Sequence, residues 1–128
     1  MTTTAEKLAI AKAFHGALIT KDWAQLKDIL ADDAVWTLPG SNRISGEAKG
    51  ADGIVERAQL IASYGLSFEL KHVLISRDNM ALSLHNTATR GNLRLDEYLS
   101  TVCFLREGKI ASIETYLSDV DGMNAFFE

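Results

Sequence analysis

The hydrophobic positions of this chain change their period once, near Tyr64-Gly65. Before that point they recur every three or four residues, the spacing of an amphipathic helix. From Ala5 to Thr20, Leu8, Ala11, Phe14 and Leu18 share one stripe. In "KDWAQLKDIL", Asp22 is placed to cap a short second helix that buries Trp23, Leu26, Ile29 and Leu30. "ADDAVWTLPG" reads as a turn, a brief strand over Ala34 to Leu38, and a stop at Pro39-Gly40. A short extended piece around Arg43 to Ser45 precedes a third helix. Asp52 can cap that helix, and its apolar set includes Ile54, Ala58, Ile61 and Ala62.

Beyond Gly65 the chain is β-rich, with runs at Leu66 to Ser76, Met80 to Arg90, Leu93 to Leu105 and Lys109 to Leu117. The separators "RDN", "RGN" and "REG" are short turn clusters, so these runs form an antiparallel meander. The tail "DVDGMNAFFE" closes as a helix capped by Asp121, with Phe126 and Phe127 folding back. Helices first and an antiparallel sheet afterwards predict an α+β fold, with the helices on one face of the sheet.

Composition narrows the function classes. At 128 residues the chain fits one domain, residues 1–128, with a core that needs no disulfide staples. A net charge of −4 without a basic run argues against nucleic-acid binding. The single Cys rules out an internal disulfide and suggests a reducing compartment. "MTTTAEKLAI" lacks a signal-peptide core and no apolar run reaches membrane-spanning length, so the expectation is a soluble, cytoplasmic protein with no membrane partner. No phosphate loop, nucleophile elbow or dinucleotide fingerprint occurs, and no cofactor is expected. His15, His72 and His85 stand apart from one another and from Cys103, so no metal site is expected either.

"FHGALITKDWAQLKDILADDAVWTLPG" resembles the opening of the nuclear transport factor 2-like superfamily in its SnoaL-like branch. "VCFLREGKIASIETYLSD" resembles that branch's last hairpin, and the likeness covers nearly the whole chain in order. The resemblance implies a cone: three N-terminal helices over a strongly bent antiparallel sheet, an internal apolar pocket, and a convex sheet face that pairs two copies into a homodimer. It identifies the fold better than the chemistry, because this scaffold hosts isomerases, cyclases, hydrolases and plain binding modules.

Carried over residue by residue, the resemblance argues against the known reactions. The positions that serve ketosteroid isomerases look like Phe14, Leu38 and Thr101, which supply neither the base nor the acidic donors that enolisation needs. Those of limonene-epoxide hydrolases look like Leu84, Asn86 and Thr115, without the carboxylates that activate water. If Thr115 faces the pocket, strand alternation sends Glu114 and Tyr116 to the other side. The same parity turns Leu82, Leu84, Asn86, Ala88, Leu99, Thr101 and Cys103 inward. It turns Ser83, His85, Thr87, Thr89, Tyr98, Ser100, Val102 and Phe104 outward. Glu114, the one carboxylate of the final strand, is thereby read as structural.

The expected site is a pocket for a small hydrophobic, perhaps cyclic, molecule. Phe14, Trp36, Leu38, Leu84 and Ile113 supply contact; Asn86, Thr101 and Thr115 supply orientation. Tyr64 guards or plugs the mouth, and Cys103 is wall or core rather than nucleophile. The alternative is an isomerase, cyclase or hydrolase working by general acid/base chemistry. Its candidate groups are His85, a residue type suited to general acid/base work, and Asp96, which a register shift could point inward. Each also has a plain structural role available, on the sheet surface for His85 and at a solvated hairpin end for Asp96.

Overall fold

A computed structural model describes residues 2–128. Helix α1 (Thr4–Thr20) starts in a capping box, with the Thr3 hydroxyl receiving the Glu6 N–H and the Glu6 carboxylate receiving that of Thr3. Helix α2 (Trp23–Asp28) is capped by Asp22, as its sequence predicts. Strand β1 (Leu30–Leu38) begins four residues earlier than its apolar run suggests, and β2 (Gly46–Lys49) lies just beyond the expected extended piece. Helix α3 (Gly50–Ser63) buries Ile54, Ala58, Ile61 and Ala62. Its N-cap is Lys49 without a side-chain bond; Asp52 sits in the first turn and pairs with Lys27 instead.

The meander follows as β3 (Ser67–Ile75), β4 (Asn79–Arg90), β5 (Leu93–Arg106) and β6 (Lys109–Leu117). A final helix, α4 (Val120–Phe126), is capped by Asp119 rather than Asp121, the Asp119 carboxylate receiving the Gly122 N–H. The six strands run in the order β2-β1-β6-β5-β4-β3. All neighbours are antiparallel except β1 and β6, where Trp36 aligns with Ile113 in a parallel pair. Register shifts in β3 near Leu70 and in β5–β6 near Phe104 curve the sheet, because an extra residue bends a strand locally.

Burial along the strands alternates as the pleat requires. Met80, Leu82, Leu84 and Asn86 of β4 are buried, as are Leu95, Glu97, Leu99, Thr101 and Cys103 of β5, and Ile113 and Thr115 of β6. Helices α1 and α3 cover this inner face: α1 packs on β3 and β4, α3 on β1. Buried Lys7 fastens α1 to the β3–β4 turn by donating to the Ser76 and Arg77 carbonyls at 2.7 and 2.6 Å. Glu114 lies on the opposite face, paired with Val102, which answers the question its sequence context poses.

Candidate functional site

Between the helices and the inner face lies a cavity of about 40 Å³. Phe14 and Leu18 of α1, Ile61 of α3, and Trp36 and Leu38 of β1 form one side. Leu84, Leu99, Thr101 and Thr115 come from the sheet, and Met123 and Phe127 close one end from the C-terminal segment. Leu18, Leu66 and Phe68 line both this cavity and a surface groove outside it, and half-buried Leu66 and Phe68 are the part of that wall nearest solvent.

Besides the Trp36 indole N–H, polarity enters this wall at three side chains, Thr115, Thr101 and Asn86. Trp36 Nε1 donates to Thr115 Oγ1 at 3.0 Å, and Thr115 and Thr101 share a hydroxyl–hydroxyl bond of 3.1 Å. The Trp36 ring is fixed from two sides, edge-to-face with Phe14 at 6.3 Å and under the Arg57 guanidinium at 5.6 Å. Arg57 donates to the Trp36 carbonyl, locking backbone as well as ring. Asn86 is the third, and its buried Oδ1 has no hydrogen-bond partner.

Of the residues expected to contact a ligand, Phe14, Trp36, Leu38, Leu84, Asn86, Thr101 and Thr115 are brought together on this wall. Tyr64, Cys103 and Ile113 stand outside it. Tyr64 backs the lining, its ring 4.7 Å from that of Phe127, its hydroxyl receiving Arg43 Nη1 at 2.8 Å, and Arg90 stacked 5.2 Å from its centroid. Ile113 and Cys103 face each other across β5–β6 in the packed core. Burial pushes the Cys103 thiol up to about 12, so it is not a thiolate at neutral pH.

His85 and Asp96 are placed away from the cavity, on the outer face. His85 Nε2 meets Asp96 Oδ1 at 2.5 Å, its Nδ1 lies 3.5 Å from Glu69, and its ring stacks on Tyr98 at 4.3 Å. Asp96 pairs with Thr87, and no shift in register turns it inward. His15 Nε2 bonds the Phe68 carbonyl at 2.9 Å. Among the described residues no cluster of three potential ligands could hold a metal.

The carboxylate that does face inward is Glu97, next to Asp96 on β5. It is 1% exposed, opposite Asn86 on β4, and its Oε1 receives the Asp119 N–H at 2.8 Å. Burial raises its pKa above the ordinary glutamate value, against the opposing pull of that N–H. The signal was available, since Glu97 lies two residues before inward Leu99. Ile44, Leu66 and Phe127 also line the cavity from connections that carry no period to aim them, while Ile61, Phe68 and Met123 are periodic positions whose share in the lining depends on how α3, β3 and α4 pack.

The SnoaL-like domain model matches residues 11–113. Bal32a, from a soil-derived mobile gene cassette, superposes with a TM-score of 0.91 at 25% identity, over 97% of this chain and 98% of Bal32a. A nuclear transport factor 2-like protein of Burkholderia xenovorans gives a TM-score of 0.83 at 19% identity, over 100% of both chains. An LEH-like epoxide hydrolase of M. tuberculosis gives 0.73 at 19% identity, over 97% of this chain and 90% of that one. No curated protein matches the sequence. Among the described residues, no helix is long and apolar enough to cross a membrane. A family match across most of the sequence, together with the superposed fold, shows that this chain belongs to the SnoaL-like domain family.

Proposed function

We propose that this protein binds a small hydrophobic molecule, rings included, in the cavity beneath α1 and α3. The observation that carries the reading is the wall itself: it is apolar apart from Asn86, Thr101 and Thr115, and none of its side chains is ionisable. Apolar surface removed from water yields about 25 cal/mol per Å², so such a wall rewards an uncharged ligand. It also withholds the acid or base that a proton transfer needs. An apolar cavity of about 150 Å³ is known to hold benzene. With about 40 Å³ here, a ring is admitted only as half-buried Leu66 and Phe68 give way. Phe14, Trp36, Leu38 and Leu84 make the contact surface.

The test is a titration of methyl-labelled protein with benzene. Saturable shifts of the Leu84, Leu99 and Ile61 methyl resonances are expected. Shifts confined to exposed Leu74 and Ile19, or none that saturate, would overturn the reading.

A second reading, an isomerase, cyclase or hydrolase working by acid/base chemistry, draws its support from the short His85–Asp96 contact. It requires turnover whose pH profile changes in Asp96→Asn and in His85→Asn. We propose further that the outer sheet face pairs two copies of the chain. Tyr98, Phe104 and Tyr116 are 57%, 46% and 60% exposed there, more aromatic surface than a single chain ordinarily leaves in water.

A further inference from the structure

Resting on the proposed binding function, we infer that the ligand is an uncharged hydroxyl compound, an alcohol or phenol, whose O–H is received by Asn86 Oδ1. The three polar groups of the wall are not equivalent. Thr115 already receives the Trp36 N–H and shares a bond with Thr101, so that group satisfies itself. Asn86 is 5% exposed, yet its Oδ1 has no donor. Buried side-chain oxygens are paired in the large majority of cases, and an unpaired one destabilises the folded state.

The strand register explains why the protein itself supplies no donor. The cross-strand neighbours of Asn86 are Phe68 on β3 and Glu97 on β4's other flank, β5. Phe68 has nothing to give. The Glu97 carboxyl directs Oε1 to the Asp119 N–H of the α4 cap and makes no hydrogen bond to Asn86 Oδ1. Asn86 lines the cavity, which leaves what fills the cavity as the source of a donor for Oδ1.

Charge selects further. With no cation on the wall and the Glu97 carboxyl opposite Asn86, a carboxylate ligand would lose its hydration and find no opposite charge at this end. An ammonium would exchange its water shell for one neutral oxygen. A hydroxyl gives one hydrogen to one acceptor and leaves its ring or chain to the apolar wall.

The experiment uses benzene, phenol and benzoate, titrated into 15N-labelled full-length protein and into Asn86→Leu at neutral pH. Leucine keeps nearly the same volume and removes an unpaired acceptor, and its melting curve reports whether the variant is folded. Phenol is expected to shift the Asn86 side-chain amide resonance, and benzene to leave it nearly in place. The phenol-to-benzene affinity ratio should fall about tenfold in the variant, as expected for the loss of one hydrogen bond. Benzoate should not bind. The inference is overturned if the ratio is the same in both proteins, if phenol leaves the Asn86 amide unmoved, or if benzoate binds as tightly as phenol. Binding of benzene and phenol without discrimination removes this inference alone. Failure of all three to bind removes the proposed function together with it.

Discussion

Trp36 Nε1 donates to Thr115 Oγ1 across 3.0 Å, joining β1 to β6 at the one place where the sheet runs parallel. The bond connects residues 79 apart in sequence, buried at the cavity wall. Replacing Thr115 by Val keeps the shape and leaves the indole N–H unsatisfied. Thr115→Val is expected to cost about 1–3 kcal/mol in chemical denaturation. The Trp36 indole proton should move upfield as its acceptor disappears. An unchanged midpoint with an unmoved indole resonance would show that the bond is absent in solution.

Glu97 gives a pH dependence of a definite sign. Its folded-state pKa lies above the ordinary 4.5, so the native state holds the proton more tightly than the unfolded chain does. Stability from this group is complete below 4.5 and is lost as pH rises through the folded value. Glu97→Gln keeps an oxygen for the Asp119 N–H and removes the titration. The variant's melting temperature should gain on wild type as pH climbs from acid toward neutral. A constant difference across that range would contradict the burial argument.

Cys103 is fully buried with its thiol held up to about 12. Ellman's reagent is expected to leave the native protein unmodified over hours and to label one thiol per chain in guanidinium. Rapid native labelling would mean that the sheet opens at β5.

The outer face makes a prediction about assembly. Tyr116→Lys should split a dimer formed through β5 and β6, since a buried, unpaired charge costs about 3–5 kcal/mol. Light scattering reads the outcome directly. A dimer mass retained in the variant would place any interface elsewhere.

The parts of the fold visible in sequence are those set by local periodicity. Alternation alone sorted Leu84, Asn86, Thr101 and Thr115 from His85, Tyr98 and Glu114, and the four meander strands lie within two residues of their apolar runs. What stayed hidden depends on partners distant in the chain. The parallel β1–β6 seam, with Leu30 against Ile110, has no local signature. Glu97 obeys the same alternation, but its company of Arg94 and Asp96 reads as a solvated hairpin end. Only the arrival of α4, with the Asp119 N–H, explains how an acid is tolerated there. The α4 cap fell on Asp119 because Asp121 lies within the first turn of the helix. Gly40 is a further case. Its φ of +105° suits glycine, and a Cβ there would come within 2.6 Å of Asn124 Oδ1, which binds the Ser41 N–H and the Asn42 amide.

The central claim is that an uncharged, apolar guest is taken into the space between α1, α3 and the sheet. A crystal of the protein pressurised with xenon tests it most directly, because xenon enters apolar cavities and needs no polar contact. The account predicts an anomalous peak bounded by Phe14, Leu38, Leu84 and Leu99. Xenon found only on the outer face, with none among these four side chains, would contradict it.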